Sequence, residues 1–166
     1  MRIVTVTLAL VVLVSLSIWA QQPAGQRQNQ PPAQEGGHVT AAELAAIVAK
    51  QPADRNGNQR LLQLAPYNVN MEHRVNIPQS ASIHDKEGEL FYVINGSGTI
   101  VTGGKLINPM KNGDNSTGSG IEGGTEKKLA KGDFVLVPEG TPHWFSKVDG
   151  ELTMMSLHLP RTPAAK

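Results

Sequence analysis

Residues Ser82 to Gly98 read SIHDKEGELFYVINGSG, and this stretch decides the fold. Its residue types predict a short strand ending at His84, a turn over Asp85-Lys86-Glu87-Gly88, and a second strand opening at Glu89. Side chains alternate along a strand, so Glu89, Phe91 and Val93 share one face while Leu90, Tyr92 and Ile94 share the other. Apart from Glu89 both faces are apolar, which predicts a strand buried on two sides. Asn95-Gly96 predicts a tight turn, because both residues tolerate positive φ. A hairpin of this shape brings His84 and Glu89 side by side at one end of a β-barrel.

A second stretch, GDFVLVPEGTPH from Gly132 to His143, has the same grammar. Gly132-Asp133 turns, Phe134 to Val137 is a short buried strand, Pro138 to Pro142 turns again, and His143 opens a further strand. The spacing of the first stretch is H-x4-E-x6-G (His84, Glu89, Gly96). That of the second is G-x5-P-x-G-x2-H (Gly132, Pro138, Gly140, His143). Together they resemble the paired motifs of the cupin superfamily over roughly the central half of the chain. The resemblance implies a small all-β jelly-roll barrel whose cavity takes a small polar molecule such as a sugar or an organic acid. It also implies a homodimer formed through exposed edge strands.

Imidazole and carboxylate donors from separate strands suit a divalent transition metal (Fe, Mn, Zn, Ni or Cu) and leave open positions for water or substrate. Metal-binding cupins usually carry a further histidine two positions before the one matched by His84. Here that position is Ser82, whose hydroxyl is a poor ligand for such ions. The resemblance therefore yields a two-histidine, one-carboxylate set of His84, Glu89 and His143. Ser82 itself and three other residues, His73, Lys147 and His158, are additional ligand or cavity candidates. His73 shares a face with Val69, Met71, Val75 and Ile77, which the alternation points inward; a buried histidine bonded to a neighbour is the plainer alternative. Lys147 stands where the second motif often ends in asparagine, on the face of His143 and Phe145, with solvent as its plainer destination. His158 shares a face with Leu152, Met154 and Ser156 and is a candidate partner behind the ligands.

Two function classes stay open at this point. In one, a bound metal supports oxygenase, lyase or isomerase chemistry. In the other, His84, Glu89 and His143 form a polar cluster in a metal-free, non-catalytic binding module, and a structural or storage barrel is a third, plainer use. The fold alone does not choose between them.

The rest of the chain frames this barrel. Met1-Arg2 and the apolar run from Ile3 to Trp19 read as a signal peptide over residues 1–20, ending at Ala20. The competing reading is an uncleaved N-terminal membrane anchor. Either way the domain is exported, to the periplasm or outside the cell. Residues 21–37 are rich in Gln, Pro and Gly and predict a disordered linker. The barrel domain spans 38–160, opening with a helix over 40–50 that starts with the capping box Thr40-x-x-Glu43 and packs outside the barrel. Residues 103–128 carry so many turn residues that they predict a long loop insertion, read as decoration, and 161–166 form a polar tail. With no cysteine among its 166 residues, the chain has no disulfides and no lipid-modified cysteine. A formal net charge of +1 gives no basic excess for nucleic acid or for a membrane surface beyond the export signal.

Overall fold

The computed structural model describes residues 36–160. The expected signal peptide at 1–20, most of the expected 21–37 linker and the expected tail at 161–166 lie outside the described residues. The helix is α1 (Ala41–Val48), shorter than the 40–50 expected. Its capping box is closed: Thr40 Oγ1 accepts from the Glu43 amide, and the Glu43 carboxylate accepts from the Thr40 amide.

All other regular structure among the described residues is β. The hairpin β1 (Gly57–Leu64) and β2 (Tyr67–Val75) comes first, and β3 (Ala81–His84) and β4 (Glu87–Thr102) carry the first motif. Five short strands follow: β5 (Lys105–Ile107), β6 (Met110–Asn112), β7 (Asn115–Gly118), β8 (Gly120–Glu122) and β9 (Thr125–Ala130). The second motif lies on β10 (Phe134–Val137) and β11 (His143–Pro160). All but β5 and β8, which pair with each other, join in one antiparallel network of nine strands.

Two long strands organise that network. The C-terminal half of β11 pairs with β2 and with the N-terminal half of β4, giving the order β1-β2-β11-β4-β10. The N-terminal half of β11 pairs with β3 and with the C-terminal half of β4, giving β6-β7-β3-β11-β4-β9. Both strands thus pass from one half-barrel to the other, and the apolar cluster between the halves contains Phe91, Val93, Ile100, Phe145, Leu152 and Met154. Burying two facing apolar surfaces is the main stabilisation of such an architecture.

Where β4 crosses over, Asn95-Gly96 does not turn the chain back as expected. The strand continues, and Gly96 takes φ +86° opposite Leu152, beside a register irregularity between Val148 and Leu152 of β11. The left-handed conformation the sequence signalled is used for a bulge, because both flanking segments find long partners on β11. Asp149-Gly150 marks the matching point on β11, with Gly150 at φ +80°. It bends that strand without ending it.

Three further expectations differ in detail. The segment 103–128 is built largely of β5 to β8 and the start of β9, and β7 pairs with β3, putting Asn115 opposite His84. On β10 only Val135 and Val137 are buried; Phe134 and Leu136 are 67% and 62% exposed. The alternation on β2 is buried on both faces, with Met71 and His73 on one and Glu72 on the other. Register places Glu72 and Arg74 opposite Met154 and Leu152, so it is the charged face that looks into the barrel. Burial of these charges is offset by a 2.6 Å ion pair between them, a hydrogen bond from Arg74 to Gln79, and stacking of the guanidinium 4.3 Å from the Phe145 ring centre.

Candidate metal centre

The two motifs meet at one end of the barrel. β3 brings His84 and the start of β11 brings His143, both from one half; the start of β4 brings Glu89 from the other. His143 Nε2 lies 3.2 Å and His84 Nε2 3.3 Å from Glu89 Oε2. One donor atom from each of the three residues falls within 4.8 Å of the others, a grouping able to hold a metal ion. Glu89 is only 3% exposed and His143 5%, and the Phe91 ring, 6.0 Å from that of His143, underlies the site with apolar surface.

A third imidazole joins them. His158, near the end of β11, is the register partner of Glu89. Its Nε2 lies 3.3 Å from the other carboxylate oxygen, Glu89 Oε1, and its ring stands edge-on to His84 with centroids 4.8 Å apart. Three of the chain's five histidines therefore surround one buried carboxylate.

Behind each ring sits an oxygen acceptor. His84 Nδ1 is 2.8 Å from Asn115 Oδ1, His158 Nδ1 is 3.0 Å from Glu87 Oε2, and His143 Nδ1 is 3.4 Å from the Thr141 carbonyl oxygen. These oxygens only accept, so each Nδ1 carries the hydrogen and donates it. Every Nε2 is left facing Glu89, free to bind a metal as the neutral ring or to donate to the carboxylate as the cation. Fixing the tautomer through an outer acceptor is how proteins orient histidine ligands, and the donor set fits a divalent transition metal on that ground.

The charges respond to this packing. Burial pushes the Glu89 carboxyl up, but hydrogen bonds from His143, His158 and His84 outweigh it and hold the group well below the usual carboxylate range. The hydrogen bond to Glu89 raises His158 to about 8 against the opposing effect of burial, with the charges of Glu89 and Glu87 adding to it. His84 is raised as well, first by Glu89 and then by Asn115, again against burial.

The remaining expected site residues are not drawn into this cluster. His73 is 3% exposed but lies on the β2 face turned away from the barrel interior, hydrogen-bonded through Nδ1 to Thr153 Oγ1 at 3.3 Å. Lys147 reaches solvent and pairs with Asp149 at 2.6 Å. Ser82 is the register partner of His143 on the site's own half-barrel. Asn115 and Glu87 were not singled out in the sequence. Glu87 carried a usable signal, since it stands two residues before Glu89 and so shares its strand face; Asn115 lay in what read as loop.

Next to the site, sharing Glu87 and Asn115 with it, is a groove of about 830 Å³ whose lining also includes Lys86, Asn112, Asp114 and Pro160. Its rim is charged, with Lys86 bonded to Asp114 at 3.0 Å and Lys111 to Asp85.

No protein-family model matches the sequence, and no curated protein matches it. Solved structures do resemble the fold. BH2720 from Bacillus halodurans has 14% identity over 81% of this chain and 86% of its own, with a TM-score of 0.52. TT1209 from Thermus thermophilus has 14% identity over 71% and 95%, with a TM-score of 0.50. A cupin superfamily protein from Desulfitobacterium hafniense has 12% identity over 70% and 87%, with a TM-score of 0.48. With two half-barrels sharing β4 and β11, and with both histidine-bearing motifs meeting at one end, the chain has the cupin fold.

Proposed function

We propose that this chain is an exported cupin-barrel protein that holds a divalent first-row metal through His84, Glu89 and His143 and binds a small polar ligand beside it. One observation carries the reading: imidazoles from separate strands, each held from behind by an oxygen acceptor, aim their Nε2 atoms at one buried carboxylate. A bound metal would supply Lewis-acid or redox chemistry of the oxygenase, lyase or isomerase kind. The protein's part is to exclude water below the site with Phe91 and Phe145. The charged rim of the adjoining groove favours a polar ligand such as a sugar or an organic acid.

A metal-free binding module is the second reading. It is favoured by the raised His84 and His158, which as cations neutralise Glu89 without any ion. Metal analysis of protein exposed to Fe, Mn, Zn, Ni and Cu separates the two, with His84→Ala as control. Stoichiometric metal in the wild type that is lost in the variant supports the metal centre; a metal-free wild type rejects it.

The same proposal includes assembly as a homodimer through β10. Among the described residues this strand pairs only with β4, and its outer face presents Phe134, its ring tilted against that of Tyr92 with centres 4.6 Å apart, and Leu136. A second copy is the occupant that an apolar edge strand of this kind fits.

A further inference from the structure

The two oxygens of Glu89 are used differently. Oε2 faces the Nε2 atoms of both His84 and His143, whereas Oε1 faces His158 Nε2 alone. The compact donor grouping contains His84, Glu89 and His143 and leaves His158 out. On its far side His158 is held by Glu87, 3.0 Å from Nδ1, and Glu87 sits on the same strand face as Glu89, two residues before it. Glu87, His158 and Glu89 thus form a chain of carboxylate, imidazole and carboxylate running from the groove to the floor of the site.

We propose that His158 is a positioning residue, not a fourth metal ligand: held by Glu87, it occupies Glu89 Oε1 and leaves Oε2 as the single carboxylate oxygen offered to the metal. The inference rests on the metal reading above. It gives Ser82 a meaning, because the imidazole absent from the motif at that position is not replaced in the ligand set. A third imidazole reaches the site from the last strand and works on the carboxylate. A carboxylate whose second oxygen is pinned cannot rotate to chelate the ion or swing toward the groove, so the metal keeps open positions for ligand.

The test uses the full chain loaded with Cu(II). Pulsed EPR counts coordinated imidazoles, and competition with a chelator gives the metal affinity. The wild type should show two imidazoles, and His158→Leu should show the same two with affinity lowered ~10–100-fold, the usual cost of losing a hydrogen bond behind a ligand. His158→Gln, which keeps an N–H donor, should recover most of that loss. Glu87→Gln should weaken binding less than His158→Leu, and the double variant should be no worse than His158→Leu alone, since Glu87 acts through His158. Unfolding curves of the metal-free variants identify any that fail to fold, and Glu87→Gln, at a half-exposed position, then carries the test. Three imidazoles in the wild type, or affinity unchanged within about threefold in His158→Leu, overturns the proposal while leaving the metal centre intact. A wild type that binds no metal overturns both.

Discussion

Glu89→Gln removes one charge and almost no volume at the point where three imidazoles meet, so its consequences follow from electrostatics. In the metal-free wild type His158 is raised to about 8 by Glu89, against an ordinary value near 6.5. A raised histidine contributes stability that is fully present below its unfolded value and is lost as the pH rises through its folded value. For His158 the window runs from about pH 6.5 to about pH 8. Each pKa unit is worth about 1.4 kcal/mol, and discounting for a ring that is partly open to solvent leaves on the order of 1 kcal/mol. His84, raised by the same carboxylate, acts in the same direction. Glutamine brings no charge to either cation and leaves His158 with Glu87 alone, so the variant should be destabilised most near pH 6 and least near pH 9, the gap shrinking by ~1 kcal/mol between them. Urea unfolding of chelator-treated protein at a series of pH values measures this, and NMR titration of the imidazoles should show His158 falling below its wild-type value. Parallel stability curves for the two proteins across pH 6 to 9 would refute the reasoning, because the carboxylate would then not be what holds the histidines charged.

Two other predictions concern the frame. In Gly96→Ala the new Cβ would sit 2.0 Å from the Glu151 carbonyl oxygen in a backbone with φ +86°. Glu151 lies in the register irregularity of β11 but is held by its pairing with Val75 of β2, and the positive φ is itself strained for alanine, so a loss of at least ~2–3 kcal/mol is expected; a melting temperature within about 2 °C of wild type would show that the crossover tolerates rearrangement. Phe134→Glu with Leu136→Glu places charge on the exposed face of β10 and should convert a dimer to a monomer in light scattering with unchanged circular dichroism. A wild type that is already monomeric at micromolar concentration rejects the interface.

How much of this was legible in the sequence differs from element to element. His84, Glu89 and His143 could be read together because their spacing resembles the paired cupin motifs, while a period of two gives the strand face of each. The direction of β2 could not. Its alternation is plain, yet both faces are buried, and the face that looks into the barrel carries Glu72 and Arg74, which satisfy each other. Hydrophobic patterning assumes that charge points outward, and an internal ion pair stacked on Phe145 breaks that assumption. Asn95-Gly96 misled for a related reason. Positive φ at a glycine signals a local conformation, and whether the chain reverses or bulges there depends on distant partners on β11.

The histidine most consequential for the site was the one least accessible to local reasoning. His158 lies outside both motifs, and its face along β11 could be assigned only once Glu89 was known to stand opposite it. The same holds for Asn115, which reaches His84 because β7 pairs with β3, in a segment whose glycines and asparagines read as loop. The motifs specify what could touch an ion; the side chains that aim His84 and His158, Asn115 and Glu87, stand at positions whose residue type the motifs leave open. Aim matters more than identity here, because an imidazole with its Nδ1 unheld rotates, and rotation costs affinity at every ligand at once. Two of the three acceptors behind the rings are side chains, Asn115 and Glu87, and both also line the groove. The groups that orient His84 and His158 are therefore part of the groove's own lining, so on the proposed reading a ligand held there and the aim of the donors are coupled.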